Sequence, residues 1–229
     1  MLWRRVFVLQ IRGMGTLEHF CPLCRSDRVV DFFEDRFRRY LRCDVCRLIF
    51  VPVEFHLSPT DEKAEYDKHE NSPDDLGYRK FLARLFEPLN AQISTSSKGL
   101  DFGSGPGPTL SVMFEEAGHD VSIYDPFYAP DPAPLNRQYD FVTASEVVEH
   151  FRNPGEDLRR LWACLNPGGL LGVMTKLALD RTSFAKWHYK NDATHVSFFS
   201  RGCFEWLAEE WHAELTFVGS DVMLLSKSH

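Results

Sequence analysis

"LDFGSGPGPTL", residues 100–110, decides how this chain is read. Leu100, Asp101 and Phe102 have the character of a buried strand end. Thr109 and Leu110 lead into "SVMFEEAGH", an amphipathic helical pattern. Between them stand Gly103, Gly105 and Gly107. A turn this rich in glycine lets a ligand approach bare main chain, and the helix N-terminus after it favours a negative group. The spacing is G-x-G-x-G, with Pro108 where a dinucleotide fingerprint wants a further glycine or alanine. No G-K-[ST] follows, so the turn is not a phosphate loop either. Pyrophosphate is disfavoured; a carboxylate is not.

Working outward, strand and helix patterns alternate from about residue 98. "KGLDFG" is a strand, "PTLSVMFEEAG" a helix with Pro108 at its start and Gly118 past its end, and "DVSIYD" a second strand. "YDFVTASEVVEHF" begins as a strand and turns helical near Glu146. "PGEDLRRLWACLNPGG" places Leu158, Leu161, Trp162 and Leu165 at helical spacing; "LLGVMTKL" is a strand and "RGCFEWLAEEW" a helix. "AELTFVG" and "DVMLLSKS" form a closing hairpin. The expected class is α/β, a doubly wound Rossmann-like sheet with an antiparallel finish, preceded by a small cysteine-bearing domain.

In such sheets ligands bind at the carboxyl ends of the central strands. Asp125 ends the second strand, 22 residues after Gly103, where an acid can accept hydrogen bonds from ribose hydroxyls. A ligand with a ribose, a carboxylate and no phosphate fits both features, and S-adenosylmethionine is one. "GLDFGSGPG", "YDP", "YDFVTASEVVEHF" and "LNPGGLLGVMT" together resemble the successive motifs of class I S-adenosylmethionine-dependent methyltransferases, over roughly residues 75–229. The resemblance implies that Asp101, Gly103, Gly105 and Gly107 bracket the methionine part of the cofactor. It implies that Asp125 holds the ribose, and that Glu146 lines the cofactor or substrate side.

One stretch departs from the family. Only fourteen residues separate Asp125 from Asp140, and they include "PFYAPDPAPL". A helix and a further strand do not fit there. The sheet is expected to lose or shorten an edge strand, with Phe127 and Tyr128 walling the adenine instead. "HVSFFS", residues 195–200, resembles a substrate-side segment of related enzymes. His195 is the candidate base or substrate contact, with Asp192 near it, against the alternative of a histidine that anchors a loop. No short ligand spacing joins His150, His188 and His195, so the sequence alone makes no metal centre of them. In the connector, Tyr66, His69 and Asn71 are possible lid or substrate contacts, against the plainer reading of a linker followed by an amphipathic helix.

Cys21, Cys24, Cys43 and Cys46 form two C-x2-C pairs separated by eighteen residues. Two such knuckles close a tetrahedral all-thiolate site, and the doubled spacing points to structural zinc in a β-ribbon. Cys164 and Cys203 are expected to be inert buried thiols. The expected organisation is an N-terminal extension over 1–18, the ribbon over 19–53, a linker and helical segment over 54–97, and the methyltransferase domain over 98–229. Met14 is an alternative start to Met1.

The 229 residues carry a net charge of −7, unevenly spread. Residues 1–50 hold ten arginines against six acids, a local +4 that leaves −11 for the remainder. No apolar run approaches the ~20 residues of a membrane span, and the expected location is the cytoplasm. The favoured acceptor is a small molecule or metabolite. One alternative is RNA, docked by Arg36, Arg38, Arg39 and Arg42 with stacking from interleaved aromatics. The other is a non-catalytic binding module.

Overall fold

A computed structural model describes residues 19–68 and 71–228, and the counts below refer to these. The proposed extension over 1–18 and His69 lie outside them.

The main sheet is built from β4 (Lys98–Phe102), β5 (Asp120–Tyr124), β6 (Tyr139–Ser145), β7 (Leu165–Met174), β9 (Glu214–Val218) and β10 (Val222–Ser226), in the order β5-β4-β6-β7-β10-β9. The first four run parallel; β10 is antiparallel to both β7 and β9, forming the closing hairpin. The sheet ends at β5 because residues 125–138 hold a single short 3-10 turn, Ala133–Asn136, and no strand. The missing edge was expected from the length and proline content of this stretch.

Successive side chains of a strand point to opposite faces, and the core follows that rule. Phe141 of β6, Leu170 and Met174 of β7, and Val222 and Leu224 of β10 face one layer. That layer holds α2 (Leu76–Asn90) through Leu82, Leu85 and Leu89, and α3 (Thr109–Glu116) through Leu110, Met113 and Phe114. Val142, Ala144, Leu171, Val173, Met223 and Leu225 face the other. There they meet Leu158 and Leu161 of α4 (Pro154–Ala163) and Phe204 and Leu207 of α5 (Arg201–Trp211).

The cysteine ribbon belongs to this second layer. β1 (Val29–Glu34), β2 (Arg39–Cys43) and β3 (Ile49–Phe50) form an antiparallel meander. β3 then pairs with β8 (Ser197–Phe198), so a segment some 150 residues later completes the ribbon's sheet. Leu23, Leu41 and Leu48 join the core that contains Leu158, Phe199 and Phe204. A Cβ on Gly155 of α4 would meet the carbonyl oxygen of Leu23 at 2.2 Å, so glycine is what lets the first knuckle seat on that helix. Cys164 and Cys203 are buried as expected, and burial pushes the Cys203 thiol up to about 12.

Candidate active site

The four ribbon thiols converge. Cys21 Sγ lies 3.4 Å from Cys46 Sγ, and Cys24 Sγ 3.5 Å from Cys43 Sγ. All four sulfurs fall within 4.8 Å of one another. A tetrahedron of sulfurs around zinc has edges of about 3.8 Å, given Zn–S bonds of about 2.3 Å. The donor set and spacing therefore fit a closed four-thiolate site, with the Val45 amide 3.3 Å from Cys43 Sγ as an outer hydrogen bond.

A cleft of about 730 Å³ opens at the carboxyl ends of β4, β5 and β6. Its floor is the glycine turn. Gly103 has φ +74°, and a Cβ there would come 2.3 Å from Val147 Cγ2, so both backbone and space require glycine. Gly105 lines the cleft, and its amide donates to Asp125 Oδ2 at 3.0 Å. Gly107 sits behind the wall, where its Cβ would meet the Asn71 carbonyl at 2.1 Å. Asp101 is also behind it: 3% exposed, it accepts from Thr143 Oγ1 at 2.8 Å and braces the loop from below. Burial pushes its carboxyl up to about 7.

Asp125 stands at the end of β5 and lines the cleft. Besides the Gly105 amide it accepts from the amides of Phe127 (2.8 Å) and Tyr128 (3.0 Å). A carboxylate has about four lone-pair sites, so most of its capacity shapes the turn that carries these two aromatics. Phe127 and Tyr128 both line the cleft, and Phe127 packs on Tyr66 with centroids 5.6 Å apart.

Tyr66 ends α1 (Pro59–Tyr66), which lies across the cleft mouth. Asn71, Tyr78 and Phe81 complete that side. α1 is tied down by Arg152, which donates to Glu62 Oε2 and to the Leu57 carbonyl at 2.8 Å, and by Tyr128 Oη, which donates to Asp67 at 2.7 Å. The connector thus contributes cleft wall as well as an amphipathic helix.

At the far end, the β6 strand runs into a tight turn that presents three ionisable groups. Glu146 has φ +52°, a conformation rare outside glycine and one that costs on the order of 1 kcal/mol or more. Its Oε1 is buried and without a hydrogen-bond partner among the described residues; its Oε2 lies 3.4 Å from Tyr189 Oη. The turn Val148–His150 then places Glu149 and His150. Glu149 is 1% exposed and accepts from the hydroxyls of Tyr189 and Thr175, the latter at 2.9 Å. Burial pushes Glu146 up to about 7 and, together with the Glu146 charge, Glu149 to about 8.

His195 joins them from the segment before β8. Its Nδ1 lies 2.7 Å from the Tyr189 carbonyl, which can only accept, so in the neutral ring Nε2 carries the lone pair. Asp192 Oδ2 is 3.8 Å from that nitrogen. Burial holds the imidazole below its usual value. Asp192 also caps its own turn, accepting from Thr194 N at 2.9 Å and Thr194 Oγ1 at 2.6 Å. His150 packs against His195 with centroids 4.7 Å apart, and His188 lies elsewhere, against Lys176. One donor atom from each of Glu149, His150 and His195 lies within 4.8 Å of the others.

The sequence reading named Glu146, His150 and His195 but not Glu149 or Tyr189. The signal for Glu149 was present in "EVVEH", whose acids and histidine recur at spacings of three and four and so share one face of any helical turn. Tyr189 had no comparable signal, because its neighbours are forty residues away in sequence.

The arginines expected to meet RNA are largely engaged within the protein. Arg38 is 7% exposed and donates to the carbonyls of Lys190, Asp192 (2.7 Å) and Ala193 (3.3 Å). Arg39 pairs with Asp31 and Arg42 with Asp44, while Arg36 stacks on Phe37. No helix among the described residues is long and apolar enough to cross a membrane.

Comparison with known proteins agrees with the fold. Residues 72–216 match a family model described as a methyltransferase domain. Two ubiquinone biosynthesis O-methyltransferases are similar over shorter stretches. The one from Azorhizobium caulinodans is 37% identical over 103 residues, 44% of this chain and 39% of the relative. The one from Caulobacter vibrioides is 32% identical over 92 residues, 40% of this chain and 28% of the relative. The chain thus matches well under half the length of either. Among solved structures, a 1,6-didemethyltoxoflavin N1-methyltransferase from Burkholderia thailandensis, with bound 1,6-didemethyltoxoflavin and S-adenosylhomocysteine, superposes with a TM-score of 0.55 at 16% identity. That match covers 87% of this chain and 99% of the other, and it speaks for the fold. With the sheet, the glycine turn and the family match in agreement, this chain belongs to the methyltransferase-domain family and has the fold of the class I S-adenosylmethionine-dependent methyltransferases.

Proposed function

We propose that this protein transfers a methyl group from S-adenosylmethionine to a hydroxyl of a small molecule. The observation that carries the reading is a single cleft with two unlike ends. One end has the glycine turn, Asp125 and the aromatic wall of Phe127 and Tyr128; the other has the buried carboxylates and histidines. Its volume falls in the ordinary range for small-molecule sites. The resemblance to two O-methyltransferases supports the choice of oxygen, and the internal use of Arg38 favours a small acceptor over RNA.

In this reading Gly103 and Gly105 present main chain to the methionine part, Asp125 accepts from the ribose, and Phe127 flanks the adenine. Asp101 and Gly107 act from behind, by holding the turn. When bound, S-adenosylmethionine supplies a methyl carbon on a sulfonium sulfur. The protein's work is alignment of an acceptor oxygen with that carbon. As the oxygen–carbon bond forms and the carbon–sulfur bond breaks, the hydroxyl proton passes to His195 Nε2, and Asp192 stabilises the imidazolium. Cys21, Cys24, Cys43 and Cys46 would hold zinc; four thiolates leave no open position, so that metal is structural.

The test is calorimetric titration of zinc-loaded protein with S-adenosylhomocysteine, beside Asp125→Ala and Phe127→Ala. Micromolar binding weakened by about tenfold or more in both variants is the expected result. Absence of binding by the folded wild type would sink the reading and favour a non-catalytic module.

A further inference from the structure

Asp125 serves the ribose and Phe127 one face of the base, but neither reads the edge of the base. Beyond β5 no further strand supplies a side chain for that task, because residues 125–138 hold only the short turn Ala133–Asn136. A polar face is supplied instead by the start of α4. Asn153, Asp157 and Arg160 are spaced four and three residues apart, so they share one side of the helix, and all three line the cleft.

An aromatic floor joins that face to the end of β5. Tyr124, the last residue of β5 and the neighbour of Asp125, packs on Phe102 with centroids 5.2 Å apart. Phe102 in turn meets Phe151, two residues before Asn153, at 5.7 Å. All three rings line the cleft, giving a flat base an apolar surface between Asp125 and α4.

The polar groups of the α4 face are not used within the protein. Asn153 stands at the N-cap, where asparagine commonly bonds the helix amides, yet its side chain makes no cap bond. Asp157 is half-buried and makes no hydrogen bond or ion pair with any described residue, whereas its neighbour Glu156 pairs with Arg25. Burial, with the Glu156 charge added, pushes the Asp157 carboxyl up to about 6. A carboxylate partly stripped of water and given no donor is relieved by a ligand N–H.

We infer that Asp157 accepts a hydrogen bond from the exocyclic amine of the adenine and makes the cleft selective for 6-aminopurine nucleosides. The inference rests on the S-adenosylmethionine reading. An ionised carboxylate only accepts, and the 6-amino group is the one N–H donor of the base in a nucleoside. A ligand without that amine leaves the carboxylate unpaired, and sites built to hydrogen-bond a ligand N–H discriminate strongly against analogues that lack it. Asp157 thereby sets which nucleoside enters, while Asp125 sets that a ribose does.

Calorimetric titration with two probes tests this: S-adenosylhomocysteine and its analogue with hydrogen in place of the 6-amino group. Wild type should prefer the amino compound by about tenfold or more, the worth of a hydrogen bond to a charged group. Asp157→Ala should bring the two affinities within about twofold, and the isosteric Asp157→Asn, which carries the test if the alanine variant fails to fold, should cut the preference at least about threefold, because a neutral acceptor bonds roughly half as strongly. Asp125→Ala should weaken both compounds by a similar factor and keep the preference. A wild type without preference, or variants of Asp157 that retain all of it, would overturn the inference and leave the cofactor reading standing. A wild type that binds neither compound would overturn both.

Discussion

Arg38, in the turn between β1 and β2 of the cysteine ribbon, donates to the main-chain carbonyl of Asp192 at 2.7 Å, bridging 154 residues of sequence. The same guanidinium reaches the carbonyls of Lys190 and Ala193 and the hydroxyl of Tyr40. It therefore holds the segment that carries Asp192 and His195 into the cleft. The ribbon is part of the scaffold of the acceptor end.

Arg38→Ala removes a buried guanidinium's hydrogen bonds to the carbonyls of Lys190, Asp192 and Ala193, and a hydrogen bond from a charged group is worth on the order of 1.5–3 kcal/mol. Stability to urea should fall by about 2–4 kcal/mol, and any turnover should fall further than S-adenosylhomocysteine affinity, because the bonds support the acceptor end. Arg38→Lys should recover little, since one ammonium cannot reproduce a planar fork. A variant as stable and active as wild type would show that the segment holds itself.

Metal removal should unfold more than the ribbon. β3 pairs with β8, and Leu23, Leu41 and Leu48 share the core of Phe199 and Phe204. Calorimetry of Cys43→Ser, or of chelated protein, should show one transition lowered by about 10 °C or more. Two separate transitions, with the main one unmoved, would mean that the ribbon folds independently.

Asp101 sets a pH dependence whose sign follows from its burial. Its carboxyl is pushed up to about 7 from an ordinary 3.8, so the folded state holds the proton more tightly than the unfolded chain. The associated stability is fully present below pH ~4 and is lost as pH rises through 7. The loss is on the order of 4 kcal/mol. Asp101→Asn should abolish this component, so urea midpoints of wild type and variant should diverge in slope between pH 4.5 and 8. Parallel pH profiles would assign the dependence elsewhere.

Gly103→Ala places a Cβ 2.3 Å from Val147 Cγ2 at a backbone φ of +74°. The turn must shift, and S-adenosylhomocysteine affinity should fall at least tenfold while the melting temperature changes by only a few degrees. Unchanged affinity would show that the turn does not contact the ligand.

Much of this architecture was legible because it is local. Alternation of apolar residues along "YDFVTAS" and "LLGVM" defines two-faced strands, and the length and prolines of residues 126–138 exclude a further edge strand. Gly103 and Asp125 follow from position after a strand. The rest depends on pairings distant in sequence. Nothing in "HVSFFS" shows that Ser197 and Phe198 pair with the ribbon, and nothing in "FRRY" shows that Arg38 will be buried under a loop from residue 190 onward. Charge composition suggested a docking surface for nucleic acid; burial turned Arg38 into a brace. The meeting of Glu149 with His195 is likewise set by how β6 and β8 are placed by the sheets.

The central claim is that the cleft over the glycine turn binds S-adenosylmethionine. The most direct measurement is calorimetric titration of folded, zinc-loaded protein with S-adenosylhomocysteine, with Asp125→Ala as the paired control. The account predicts one site per chain, weakened about tenfold or more in the control. A wild type that binds none, or a control that binds equally well, would contradict it.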